Sequence, residues 1–170
     1  EAQFGSRRMV STDPSRPGGF LLNNELTDFS FAPTDAQGRP VANRVEPGKR
    51  PRSSMSPTLV FDKATGQLVM SGGSPGGALI IHYTAKLLAG TLHGGLNAQQ
   101  AISLPNFGSL NGPTVLEAGR FAPALVNDLK ARGHEVREME MTSGLQAIER
   151  TPSGWFGGAD PRREGVVLGD

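Results

Sequence analysis

The sequence contains no cysteine in its 170 residues. Without a thiol the chain has no disulfide bond, no thiolate zinc site and no cysteine nucleophile. Only three histidines are present, His82, His93 and His134; they are widely separated and form no HExxH motif. We therefore expect neither a metal site nor a cofactor.

A strong net charge and a long apolar run are also missing. Lys and Arg number 17 and Asp and Glu 16, so the formal net charge is +1. So small a charge supplies no field to hold nucleic acid, and no apolar run approaches the roughly 20 residues of a membrane helix. We expect no nucleic-acid partner and no membrane span in this chain. Its length predicts a single domain, residues 1–170, with a sizeable core.

Short apolar runs separated by turn residues predict a mixed α+β fold with hairpins. The segment 77–90, GALIIHYTAKLLAG, is apolar on almost every side except at His82 and Lys86, which predicts a buried helix. The segment 31–52 has little apolar content and is either a long functional loop or a linker. The other predicted elements are a hairpin at 58–72, a helix that Asn97 begins and Pro105 ends, a strand at 113–119, a helix at 122–133, an exposed or edge strand at 134–141 and a hairpin at 145–161.

Three short motifs carry candidate chemistry, each with a plain structural alternative. The turn GSPGG, residues 73–77, points backbone N–H groups towards one spot ahead of a helix, as an oxyanion hole or a simple turn does. Glu25 and Asp28 are two close carboxylates that serve acid–base chemistry, hold an ammonium group or form a solvated turn. Ser53 and Ser54 offer hydroxyl donors for a carboxylate and lack the Gly-x-Ser-x-Gly pattern of a nucleophile.

The order of these motifs is more specific than any one of them. GFLLNNELTDFS, GKRPRSSMSPT, SGGSPGGALII and, near the C-terminus, GGADPR follow one another along the chain. This order resembles the small subunit of gamma-glutamyltranspeptidases, which belong to the N-terminal nucleophile hydrolase superfamily. The resemblance implies a four-layer αββα sandwich, of which this chain forms one part and a larger subunit of the same precursor the rest.

The resemblance also implies the chemistry. The precursor cleaves itself, and the new N-terminal Thr of the small subunit attacks a γ-glutamyl amide such as glutathione, using its own amine as base. Water or an amino acid or peptide acceptor then resolves the acyl-enzyme. The family pattern assigns the oxyanion hole to Gly76 and Gly77, the substrate's α-ammonium to Glu25 and Asp28, and its α-carboxylate to Ser53 and Ser54, with an Arg of the large subunit assisting. It also implies a periplasmic or secreted location.

The sequence departs from the family pattern in three places. It begins at Glu1 with no Thr before FGSRRMV, so we expect the nucleophile to lie outside this chain and the chain alone to be inactive. Glu1 stands where family members carry Asn near the substrate's amino group, and it is assigned to substrate binding. The segment 31–48 matches the lid of some members but lacks a Tyr, so no lid gated by an aromatic hydroxyl is expected.

Two other functions remain open. One is an acylase for glutaryl amides such as cephalosporin side chains; that substrate lacks the α-ammonium, and the presence of both Glu25 and Asp28 argues against it. The other is a non-catalytic fragment or assembly module that keeps the fold without the nucleophile.

Overall fold

A computed structural model describes residues 25–169 of the chain. Within this range the backbone forms seven strands, three α-helices and two short 3-10 helices. The chain divides into two compact units, one ending at Ser54 and the other beginning at Met55. No helix in the described range is long and apolar enough to cross a membrane. The prediction of one domain over 1–170 stays a prediction.

The described part of the first unit, residues 25–54, is built from turns. It opens with a 3-10 helix, Glu25–Asp28, and Phe29 directly after it is buried. A parallel bridge joins Ser30 to Arg44, and an antiparallel bridge joins Thr34 to Pro40. The segment from 31 onward is therefore a loop closed at its base rather than an extended linker, and a function for this loop stays a prediction.

The second unit contains an antiparallel four-stranded sheet, in the order β1-β2-β6-β7. The predicted hairpins form both of its halves. Asp62 begins the first turn by accepting hydrogen bonds from the backbone N–H groups of Ala64 and Thr65, which leads β1 back into β2. The strand bounds are β1 Thr58–Phe61, β2 Leu68–Gly73, β6 Gln146–Thr151 and β7 Gly154–Ala159.

Two helices cover one face of this sheet. They are α1, Ile80–Leu92, and α2, Ala98–Ser103. Asn97 and Gln100 form the capping box that begins α2, and the Glu149 carboxylate of β6 accepts the Ala98 N–H at 2.9 Å. The core lies between these helices and the sheet and comprises Met70, Tyr83, Leu87, Ala98, Ala101, Ile102, Met141, Leu145 and Ala147.

The opposite face of the sheet, which we call the outer face, is exposed in this chain. The sheet register places Leu59, Ser71, Ile148 and Gly157 in one row across it. Leu59 is 59% exposed and Ile148 50%, while Val167 lies over Gly157. Trp155, 56% exposed, lies on the same face opposite Arg150, so the outer face carries several exposed apolar side chains beside Ser71 and Arg150.

A smaller sheet has the order β3-β4-β5, and sequence patterns predicted only part of it. Strand β5 runs parallel to β4 at the sheet edge, which confirms the predicted edge strand. Strand β3 is three residues long and was not predicted. Gly133, with φ of 91°, follows α3 as the predicted stop. The bounds are β3 Phe107–Ser109, β4 Thr114–Glu117, α3 Pro123–Ala131 and β5 Val136–Met139.

The prediction of a buried helix at 77–90 holds for only part of the helix surface. Helix α1 buries Tyr83 and Leu87, yet Ile81 is 53% exposed, so part of its apolar surface is not covered in this chain. Its two polar residues are not on the exposed side. Lys86 is buried, and the partly buried His82 accepts the Ser109 N–H at 3.2 Å.

Candidate active site

The predicted ammonium-binding residues lie together in the first unit. Glu25 and Asp28 occupy the two ends of a single 3-10 turn, and both are exposed. The Asp28 carbonyl oxygen accepts a hydrogen bond from the Asn43 amide at 2.7 Å. The turn thus presents two carboxylates to solvent from a backbone that the following loop holds.

The predicted carboxylate-binding residues end the same unit. Ser53 is exposed and Ser54 half-buried. The backbone N–H of Arg52, directly before them, donates to the Asn43 side-chain oxygen at 2.9 Å. One asparagine therefore touches the segment of Asp28 and the segment of Ser53, a connection that the sequence patterns did not suggest.

The GSPGG turn of the second unit joins β2 to helix α1, as its glycines predicted. Gly76 has φ of 143° and Gly77 φ of 58°, and residues with a side chain rarely adopt such positive φ values. A Cβ added at Gly76 would also stand 2.5 Å from Tyr83 Cε2. The Leu79 N–H donates to the Gly76 carbonyl at 3.2 Å, and the Ile80 N–H donates to the Gly77 carbonyl. Backbone conformation thus explains both glycines, and their role as an oxyanion hole stays a prediction.

A neighbouring segment supports this turn from the side. The Gly144 N–H donates to Ser74 Oγ at 3.1 Å, and Ser74 Oγ donates to the Pro75 carbonyl at 2.7 Å. A Cβ added at Gly144 would meet Pro75 Cγ at 2.7 Å. The position of Gly144 therefore limits where the first half of the turn can lie.

A buried polar network fixes the segment that carries Gly144. The Asp160 carboxylate accepts hydrogen bonds from the Ser143 hydroxyl at 2.5 Å and the Leu145 N–H at 2.9 Å. Asn106 donates to Ser143 Oγ at 2.8 Å and to the Met141 carbonyl at 3.1 Å. The residues on either side of Gly144 are thereby tied to the protein interior.

Asp160 and Glu117 share the guanidinium of Arg162. Arg162 contacts Glu117 through two bonds of 2.6 and 2.7 Å and Asp160 through one of 3.1 Å. Burial acts to raise the pKa of each carboxyl, but hydrogen bonds, including those from Arg162, outweigh it and hold both pKa values below their usual range. Asp160 and Arg162 come from the GGADPR motif, to which the sequence had given no role.

Lys86 faces the same network from helix α1. Its ammonium donates to the carbonyls of Ile102 and Leu104 at 3.0 and 2.7 Å, near the C-terminal end of α2. Arg162 donates to the same two carbonyls. Burial lowers the pKa of Lys86 to about 8, repulsion from Arg162 acts in the same direction, and Asp160 and Glu117 oppose the shift.

The structure thus gathers the predicted residues into two sets. Glu25, Asp28, Ser53 and Ser54 belong to the first unit, and Gly76 and Gly77 to the second. Glu1 lies outside the described residues. No cluster of three or more His, Asp or Glu suited to a metal ion occurs among residues 25–169.

Solved structures show the same fold. The gamma-glutamyltranspeptidase of Pseudomonas nitroreducens, complexed with L-DON, matches with a TM-score of 0.76 and 28% identity over 98% of this chain and 88% of that one. A cephalosporin acylase from Bacillus halodurans matches with a TM-score of 0.70 and 26% identity over 88% of this chain and 27% of that one. The chain therefore has the α+β fold of N-terminal nucleophile hydrolases, of which it forms a part, as the motif order implied.

Sequence comparison identifies the family within this superfamily. The model of the gamma-glutamyltranspeptidase family matches residues 1–170. The glutathione hydrolase proenzyme of Escherichia coli K12 is 37% identical over 150 residues, which cover 85% of this chain and 26% of that protein. The chain belongs to the gamma-glutamyltranspeptidase family. It spans about a quarter of the length of the E. coli relative.

Proposed function

We propose that the whole protein cleaves γ-glutamyl amides such as glutathione and transfers the γ-glutamyl group to water or to an amino acid or peptide acceptor. The Thr hydroxyl at the N-terminus of the processed subunit attacks the amide carbonyl, and the amine leaves with a proton. The acceptor then cleaves the resulting ester and restores the hydroxyl. No residue of this chain is assigned as the nucleophile, and the family's usual periplasmic or secreted location is part of the proposal.

The proposal for the substrate rests on the 3-10 turn Glu25–Asp28. A γ-glutamyl group differs from a glutaryl group by an α-ammonium, and two exposed carboxylates three residues apart, Glu25 and Asp28, suit that cation. Hydroxyl groups at Ser53 and Ser54 suit the α-carboxylate without adding charge. The backbone N–H groups of Gly76 and Gly77 are proposed to stabilise the oxyanion, where one such donor typically contributes ~2.7–4 kcal/mol.

The outer face of the four-stranded sheet supports a large-subunit partner. Relatives are named as proenzymes. Leu59, Ile148 and Trp155 are each about half exposed on this one face, and large apolar side chains grouped on an exposed face typically mark a contact with another chain. We propose that the larger part of the precursor covers the outer face.

The acylase function has less support. The cephalosporin acylase likeness is at the level of fold and 26% identity. A glutaryl substrate would leave the carboxylates of Glu25 and Asp28 without an ammonium to bind.

The test compares γ-glutamyl and glutaryl anilides on the full-length protein. We expect a clear γ-glutamyl preference in the wild type. Asp28→Ala should lower kcat/KM for the γ-glutamyl anilide about 30-fold or more and leave the glutaryl anilide unchanged, since the bound substrate would desolvate the ion pair and losing one partner of such a pair costs ~2–5 kcal/mol. Asp128→Ala, at an exposed position on α3, is the matched control. Equal rates on both anilides in the wild type would assign the protein to the acylases.

A further inference from the structure

Asn43 joins two backbone segments through both polar atoms of its side-chain amide. Its Nδ2 donates to the Asp28 carbonyl at 2.7 Å, and its Oδ1 accepts the Arg52 N–H at 2.9 Å. Its own carbonyl accepts the Ser30 N–H at 2.9 Å. All three partners are backbone atoms, so these bonds fix the path of the chain rather than the rotamer of a neighbour.

The loop around Asn43 holds that side chain in place. Both the backbone N–H and the guanidinium of Arg44 donate to the Val41 carbonyl, at 3.1 and 3.0 Å. Glu46 pairs with Arg44 and with Lys49, and the Lys49 ammonium also contacts the Ala42 carbonyl. Asn43 is itself half-buried in this turn. Because the backbone on both sides of Asn43 is held by these contacts, its side-chain amide keeps a fixed position.

We propose that Asn43 is a positioning residue, which sets the spacing between the ammonium-binding position at Asp28 and the carboxylate-binding positions at Ser53 and Ser54. This inference rests on the proposed function. The ammonium and the carboxylate of a γ-glutamyl group sit on one carbon atom, so both are held at once only if the two segments keep a fixed separation. A substrate with one of the two groups does not depend on that separation.

The experiment uses three anilides on the full-length protein: γ-glutamyl, glutaryl, which lacks the ammonium, and 4-aminobutyryl, which lacks the carboxylate. In Asn43→Ala we expect kcat/KM for the γ-glutamyl anilide to fall about tenfold or more, through KM, while the other two change by less than about threefold. Asn127→Ala, at an exposed position on α3, is the matched control and should leave all three values unchanged.

Asn43→Asp provides a second variant of the same size. It keeps an acceptor for the Arg52 N–H and loses the donor to Asp28, so it should also impair the γ-glutamyl anilide selectively. An equal loss on all three anilides in either variant would show a general structural role and overturn the proposal, as would failure of both variants to yield processed enzyme. Absence of a γ-glutamyl preference in the wild type would instead refute the proposed function, before any variant is considered.

Discussion

Gly144 packs so closely on Pro75 that the two residues leave no room for a methyl group between them. The added carbon would stand 2.7 Å from Pro75 Cγ and 2.8 Å from Arg163 Cδ, and neither neighbour is the free end of a flexible chain. Gly144 also donates its N–H to Ser74. The segment 143–145 therefore positions the turn that carries Gly76 and Gly77.

Gly144→Ala should lower kcat with little change in KM. The displaced Pro75 moves the following N–H donors away from the proposed oxyanion, and loss of one such donor costs about 100- to 1000-fold, so a partial displacement should cost about 10- to 100-fold. Steady-state kinetics with the γ-glutamyl anilide measure this effect. Gly112→Ala is the matched control, because a Cβ there meets nothing within 4 Å. An unchanged kcat in Gly144→Ala would contradict a role of the GSPGG turn in catalysis.

Asp160→Asn should destabilise the protein by about 1–3 kcal/mol at neutral pH, as expected for weakening hydrogen bonds to a buried charged group. Because the folded pKa of Asp160 is lowered, its contribution is present above the ordinary carboxyl pKa and is lost as the pH falls through the folded value. Denaturant unfolding of wild type and variant should therefore converge in acid. Asp128→Asn, in an exposed ion pair with Arg132, should change stability by less than about 1 kcal/mol.

Lys86 should make the wild type more stable as the pH rises above neutrality. Its pKa is about 8 in the folded chain against 10.5 for the ordinary side chain, so between these values the unfolded state binds more protons and folding becomes more favourable with rising pH. From pH 8 to 9.5 this should add about 1–2 kcal/mol to the free energy of unfolding. Lys86→Met should lack that rise, whereas the exposed Lys63→Met should retain it. Parallel pH profiles for all three proteins would contradict the prediction.

Ile148→Glu should impair association with the rest of the precursor. The substitution places a charge in the middle of the outer face, where covering an isoleucine is otherwise worth about 1.5–3 kcal/mol. We expect a lower yield of processed, associated enzyme by size-exclusion chromatography. Leu125→Glu introduces the same charge at an exposed leucine of α3 and serves as the control. Equal yields from the two variants would argue that the outer face stays uncovered.

Local signals in the sequence predicted most of the elements. The hairpin turn at 63–66 and the capping residue Asn97 depend on residues only a few positions away, and both appear in the structure as predicted. Strand β3 and the parallel pairing of β4 with β5 depend on partners distant in the chain. The local pattern of apolar and polar residues does not indicate which distant strand a segment pairs with.

The polar network was missed for the same reason. The carbonyls that hold Lys86 lie 16 and 18 residues further along the chain, and Arg162 reaches Glu117 across 45 residues. Lys86 on a helix that is otherwise apolar apart from His82 was the available signal, and the structure shows that this lysine is buried. No sequence pattern indicated the bonds of Asn43, because its partners are backbone atoms, which are the same in nearly every residue.

The loop before Asn43 is closed a second time, which separates its tip from the bonds that Asn43 makes. The Val41 N–H bonds to the Pro33 carbonyl at 2.9 Å, and Asp35 ties the tip together through Arg39. Residues 34–40 thus form the tip of the loop, and the hydrogen bond between Val41 and Pro33 closes the loop at the base of this tip. Because those ends are fixed, a change of length at this tip should leave the bonds of Asn43 to Asp28 and Arg52 in place. Under the proposed function, changes at this tip should therefore leave recognition of the γ-glutamyl group by Asp28, Ser53 and Ser54 unaffected.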